Sequence, residues 1–313
     1  MGLVVRYAVL ALAVLLANFF LPRLLPGDPL DFAETSGFAT STLSADARAH
    51  LRASYHLDQP LPDQLRAYLS DLAHADLGWS ISRSAPVAEL IVARLPWTLG
   101  LVVSAVVLAG LVGGGLGLLA AWCGGRVGWL VVGAASVLAA LPEFLLAMAL
   151  LLALAVGLRW FPLQGGQSPF GDASLLDVAW HLSLPALTLV LATSGAFALL
   201  AHGAILSVRE EPYLTAARAR GLGEFQVALR HALPNAVLPL VTLFGVRLGQ
   251  VLGGAIVVER VFAVPGLGLL SVEAIRARDY PLLQAVFLLA SLGVLLANLV
   301  LELAYRRLEP RRA

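Results

Sequence analysis

Residues Glu210–Pro234, EEPYLTAARARGLGEFQVALRHALP, form a polar, arginine-bearing island between long hydrophobic runs. Arg218, Arg220 and Arg230 lie within it and Arg209 directly before it, in a chain whose 313 residues are 59% apolar. A charged side chain at the centre of a bilayer costs roughly 2.5–3.5 kcal/mol on insertion scales, so this stretch is expected to stay outside the lipid. Its composition is that of a built element rather than a slack loop. Pro212 suits the first turn of a helix, and Tyr213 to Arg220 are mostly good helix formers. Gly221 can supply a left-handed C-terminal cap, and Gly223 and Glu224 open a second helix with Pro234 at its far end. The reading is two short helices meeting at a glycine corner, on the cytosolic side of a membrane protein.

Composition supports the membrane. Mean hydropathy is +0.85, and only 13% of residues are charged, against about 25% in soluble domains. The net charge of +1 leaves no electrostatic footprint for nucleic acid. All 21 basic residues are Arg, and a phosphate-binding P-loop needs a lysine. The chain is therefore expected to carry no ATPase site of its own. The single Cys123 cannot form an internal disulfide and is read as a small packing residue.

Working outward from the island, six spans are expected, with both termini cytosolic. The first occupies residues 1–25; a cleaved signal peptide is the alternative, but no A-x-A-like site ends the run. Residues 26–95 are the one sizeable hydrophilic segment, acid-leaning and assigned outside, with short helices at Ser44–Ser54 and Pro62–Ala73. It is read either as a cap on the bundle or as the place where an extracytoplasmic binding protein docks. The remaining spans, 97–122, 130–158, 182–206, 236–261 and 282–305, form a core over 96–306 that encloses the polar loop 207–235. Pro142 breaks the third span near its middle. Gly110, Gly113, Gly114, Gly115 and Gly117 in the second span, and Gly245, Gly249, Gly253 and Gly254 in the fifth, are read as close-packing faces. The tail 307–313, with Arg306 just before it and Arg307, Arg311 and Arg312 within it, obeys the positive-inside rule. No internal sequence repeat is present.

The island also carries a resemblance. Thr215-Ala216-Ala217, Gly221 and the later His231-Ala232-Leu233-Pro234 are spaced as in the EAA loop of ABC-importer permeases. TAARARGL followed by LRHALPNAVLPLVT resembles the dipeptide/oligopeptide/nickel branch, with Thr215 in place of the glutamate that names the motif. Other landmarks of that branch follow in family order: Leu24-Leu25-Pro26-Gly27-Asp28-Pro29, Leu57-Asp58-Gln59-Pro60-Leu61, Asp76-Leu77-Gly78-Trp79-Ser80, Val264-Pro265-Gly266-Leu267-Gly268 and Arg278-Asp279-Tyr280-Pro281. The resemblance implies an all-α membrane protein, a six-helix bundle of the type I ABC-importer permease fold with a coupling helix pair. It implies a permease subunit for small peptides, working with a second related permease, two ABC ATPase subunits and an extracytoplasmic solute-binding protein. ATP and Mg would be bound by the ATPase partners, and no cofactor by this chain. Tyr213, Thr215, Ala216, Ala217, Arg218, Gly221, Leu222 and Pro234 are the residues the resemblance assigns to ATPase coupling. Nickel chelates or other small solutes are the alternative cargo.

No catalytic or metal-binding constellation is visible. His50, His56, His74, His181, His202 and His231 are scattered, without zinc-type pairing. A secondary transporter would need no ATPase and would show paired inverted halves, which are absent. Two charges fall near the centres of predicted spans, Glu143 and Arg247, with Gln250 one turn beyond the latter. Intramembrane charges usually face a partner or a water-filled path. They are read as a structural pair beside the Pro142 kink or as lining the translocation pathway, where they could contact peptide termini. Glu259 and Arg260 are assigned to the outer interface.

Overall fold

The computed structural model describes residues 3–23, 59–168, 174–209, 211–250 and 255–308. Among these the chain is almost wholly helical. Helix α1 is Leu3–Arg23 and α2 is Leu61–Ala73, opened by a proline at its N-terminus. A two-stranded hairpin follows, β1 Trp79–Ser80 antiparallel to β2 Ala85–Pro86, with Trp79 opposite Pro86 and Ser80 opposite Ala85. The long helices are α3 Val87–Cys123 and α6 Leu175–Arg209. Between them lie α4 Gly125–Ala140 and α5 Glu143–Leu150, the latter continuing as a π-helical stretch Leu151–Gly157. The polar island forms α7 Pro212–Ala219 and α8 Glu224–Val227, and α8 continues through a π turn, Ala228–Ala232, into α9 Leu233–Gly249. Helices α10 Ile256–Val261, α11 Leu267–Ala277 and α12 Tyr280–Leu308 complete the chain.

The span count differs from six. Four helical runs are long and apolar enough to cross a membrane: Val87–Cys123, Leu175–Arg209, Glu224–Gly249 and Tyr280–Leu303. A fifth arises only if Gly125–Ala140 and Glu143–Gly157, bent by 100°, are counted as one span. The apolar stretch of α1, Val5–Phe20, is shorter. The third span is thus bent close to a right angle, not a kinked rod. Pro142 has no N–H and excludes the helical region for the residue before it, so Leu141 turns extended (ψ 127°) and the helix ends at Ala140. The fifth span is described up to Gln250 and again from Ala255. Helix α9 stops at Gly249 and a separate short helix resumes at Ile256. Gly253, Gly254, the Leu24–Pro29 motif, Ser44–Ser54 and the start of the Leu57–Leu61 motif lie outside the described residues.

Pro234 does not close the second helix of the island, as sequence alone suggested. It sits in the first turn of α9, within one continuous helical run. A proline ring would strike the carbonyl four residues back, and the wider π turn at Ala228–Ala232 relieves that clash.

Small residues set the packing. A Cβ on Gly113 would lie 2.3 Å from the Ser194 carbonyl oxygen, and one on Gly117 would lie 2.2 Å from that of Ala198. Helices α3 and α6 therefore meet backbone to backbone along Gly113-xxx-Gly117 and Ser194-xxx-Ala198. On the far side of α6, a Cβ on Gly195 would meet the Ala135 carbonyl of α4 at 2.5 Å. In lipid, where apolar surfaces gain little by leaving the tails, such close approach is what associates helices. Helix α1 is carried on α12: Asn18 Nδ2 donates to the Gln284 carbonyl at 2.8 Å and to Tyr68 Oη at 3.0 Å, and Arg6 pairs with Glu302. Cys123 is exposed at the end of α3, not packed.

Candidate functional site

The polar corner is closed by its own backbone. Gly221 has φ +82°, a conformation costly to a side-chain-bearing residue. Its N–H reaches the Arg218 carbonyl at 2.9 Å, and the Leu222 N–H reaches that of Ala217 at 3.4 Å. These are the two bonds of a Schellman cap, and the accompanying apolar contact is present, since Ala217 and Leu222 belong to one cluster. Leu214 and Ala217 face inward there, with Ile205 of α6, Ala121 of α3, Val227 of α8 and Ala236 of α9. Arg209 donates to the Ala121 carbonyl at 3.0 Å, Arg218 Nε to Glu224 at 2.9 Å and Asn235 Nδ2 to Tyr213 Oη at 2.8 Å. The corner is a rigid element seated on the ends of three long helices.

Its outward face is Tyr213, Thr215, Ala216, Arg220 and Gly221, all exposed. Ala217, assigned with Ala216 to ATPase coupling, is buried instead; one step along a helix turns a side chain by about 100°. Pro234 is exposed on the second arm. Phe225, which the sequence reading passed over, is 75% exposed on that arm. The signal was available, because an aromatic in a polar loop has no lipid to face.

The membrane charges lie at helix ends. Glu143 opens α5 directly after the 100° bend, and Arg247 lies in the last turn of α9, with Gln250 exposed just past its end. No ion pair joins Glu143 and Arg247 among the described residues. Glu143 Oε1 and Arg247 Nε are both buried without a hydrogen-bond partner.

The other end of the bundle holds two built polar sites. Glu259 is not interfacial: it is 0% exposed. Thr98 Oγ1 donates to its Oε1 at 2.6 Å and the Leu269 N–H to its Oε2 at 3.0 Å, while Thr98 accepts from the Leu267 N–H at 2.8 Å. A Cβ at Gly266 would sit 2.3 Å from the carboxylate carbon, so the Pro265-Gly266-Leu267-Gly268 turn has room for Glu259 only because Gly266 is bare. Asp279 is equally buried and accepts from Ser80 Oγ (2.6 Å), Ser82 N–H (2.9 Å) and Ser82 Oγ (2.7 Å). Sequence motifs some 200 residues apart thus become one contact. Among the described residues no group of three His, Cys, Asp or Glu could hold a metal ion.

Comparison with known proteins agrees with this architecture. A family model described as a binding-protein-dependent transport system inner membrane component matches residues 113–313. A putative peptide permease protein of Brucella suis biovar 1 is 37% identical over 307 residues, covering 96% of this chain and 94% of that protein. A probable peptide ABC transporter permease protein of Sinorhizobium fredii is 35% identical, covering 94% and 92%. A glutathione transport system permease protein of Salmonella typhimurium is 36% identical over 312 residues, covering 99% and 95%.

Proposed function

Because the chain belongs to the family of binding-protein-dependent transport system inner membrane components, we propose that it is the membrane-spanning permease subunit of an ATP-driven importer of small peptides. The observation that carries the proposal is the rigid corner at Pro212–Gly221, capped, seated on three long helices and exposing one face. The peptide cargo is supported by the relatives, named peptide and glutathione permeases.

The corner faces the cytosol with both chain termini, and Tyr213, Thr215, Ala216, Arg218, Gly221, Leu222 and Pro234 couple it to one of two ATPase subunits, Ala217 supporting them from inside. ATP and Mg are bound there, since this chain has no lysine for a P-loop. A second, related permease completes the pathway, and a solute-binding protein delivers cargo from outside. Closure of the ATPase pair pushes the corner as a lever, and the bundle shifts between two packed arrangements that open to opposite sides. Glu143, Arg247 and Gln250 line the pathway; the absence of an ion pair between the two charges supports this over a purely structural pair.

The test is a pulldown of tagged protein from gently solubilised native membranes, read by mass spectrometry. Wild type is expected to recover an ATPase and a second permease, and Gly221→Arg to lose the ATPase while keeping the permease. A wild-type chain that emerges with no ATPase defeats the importer reading and favours an ATP-independent transporter.

A further inference from the structure

Leaving a buried polar atom unpaired is costly, more so when it is charged. Glu143 Oε1 and Arg247 Nε both bear that cost, although each could relieve the other by closing into an ion pair. No ion pair joins them. Glu143 is fixed at the N-terminus of α5 by the break at Pro142, and Arg247 in the last turn of α9. Each charge suits the helix end that carries it, a carboxylate at the positive N-terminus and a guanidinium at the negative C-terminus. An unpaired carboxylate opening α5 after the Pro142 bend and an unpaired guanidinium in the last turn of α9 match a ligand with one ammonium and one carboxylate.

We propose that Glu143 and Arg247 receive the two charged termini of a zwitterionic peptide in transit. Glu143 accepts hydrogen bonds from the α-ammonium, and Arg247 donates its planar fork to the α-carboxylate. This rests on the peptide-importer reading and adds what within this chain recognises the cargo. A free peptide supplies both missing partners at once, and on its departure the helix ends again hold the charges separately.

The experiment uses the assembled transporter in proteoliposomes, with its ATPases and binding protein, and measures peptide carried per ATP hydrolysed. The probes are tri-alanine, its C-terminal amide and its N-acetyl derivative, each at a concentration that saturates the binding protein. One charge-assisted contact is worth about 1.5–3 kcal/mol, so wild type should carry tri-alanine at least about tenfold better per ATP than either blocked form. Arg247→Gln should erase the preference over the amide alone, and Glu143→Gln the preference over the N-acetyl form alone. Arg247→Lys and Glu143→Asp, which keep the charges, should retain much of each preference. Preferences unchanged by the variants overturn the proposal, as does a wild type with none. Recovery by the swapped pair Glu143→Arg with Arg247→Glu, when each single change fails, would mean the two serve only each other. Loss of the second permease from the complex would mean that a partner subunit covers them. If wild type carries no peptide at all, the importer reading falls and this inference falls with it.

Discussion

At Glu259 the physics of a buried carboxylate is met by backbone. Its oxygens take Thr98 Oγ1 and the Leu269 N–H, and Thr98 in turn satisfies the Leu267 N–H. The Leu269 N–H is a fixed donor, so an amide that keeps its carbonyl there turns its NH₂ toward Thr98 Oγ1 and leaves the Thr98 hydroxyl proton without its acceptor. Glu259→Gln is expected to destabilise the protein by about 2–3 kcal/mol, and Thr98→Val by a similar amount. Because the two side chains form one network, the double variant should cost less than the sum by about 1 kcal/mol or more. Thermal unfolding in detergent with a double-mutant cycle measures this, and additive losses would mean that the turn does not depend on the pair. None of this was legible in sequence. Glu259 beside Arg260 reads as an interfacial pair, and only the return of the Pro265–Gly268 turn over it, a tertiary event, buries it. Of the α3 glycines read as packing faces, Gly113 and Gly117, at fourfold spacing, meet α6 closely, whereas Gly110 and Gly114 make only ordinary contacts and Gly115 meets nothing. Gly117→Ala should cost about 1–3 kcal/mol by overpacking against the Ala198 carbonyl. Gly115→Ala, with nothing within 4 Å of the new methyl, should be neutral or stabilising by up to about 1 kcal/mol. Equal melting temperatures for the two would contradict the close approach.

At the scale of elements, the corner and the breaks follow different rules. Helix α7 was readable end to end, since Pro212 and Gly221 act within their own turn and no distant contact overrides them. The substitution series at Gly221 should follow backbone preference rather than size, because a side chain there meets nothing within 4 Å. Asn is expected to be tolerated, and Val to cost about 1–2 kcal/mol or more. Proteolysis of the Arg218–Arg220 bonds reports it, and equal sensitivity of the two variants would remove the cap from the account. Pro142 and Pro234 illustrate what the sequence hides. Pro142 was read as a break within one span and Pro234 as the far end of a short helix, yet one turns the chain by 100° and the other lies inside a continuous helix. The difference is whether a π turn absorbs the missing hydrogen bond, which neighbours decide. The β1–β2 hairpin is likewise an element made by a distant residue. Asp279→Ala removes the acceptor of Ser80 and of both Ser82 donors, so the Ser82 amide should exchange with solvent about tenfold or more faster, following a loss of at least about 1.4 kcal/mol of local stability. Unchanged exchange would show that the hairpin stands by itself.

Across the whole molecule, one helix joins the two polar ends. Helix α3 carries Thr98 under the Glu259 turn and Ala121 in the cluster beneath α7, roughly 35 Å apart at 1.5 Å per residue. Its backbone contact with α6 at Gly113 and Gly117 leaves little room for the two to bend separately, so a push at the corner is expected to travel as a rigid displacement. The corner itself separates support from contact. Leu214 is fully buried, whereas Phe225 projects 75% exposed from the second arm. Leu214→Ala should therefore cost about 2–5 kcal/mol of stability and lose fold and partner together. Phe225→Ala should leave the melting temperature nearly unchanged, as exposed substitutions stay within about 0.5 kcal/mol. If the corner docks on an ATPase, an exposed aromatic at its edge is the kind of residue that anchors such an interface, and its loss should weaken association by about 2 kcal/mol, or roughly thirtyfold. Titrating the purified ATPase against both variants separates the outcomes. A Phe225→Ala chain that binds like wild type would place the contact wholly on the face formed by Tyr213, Thr215 and Ala216, with the second arm serving only to carry the displacement into α9.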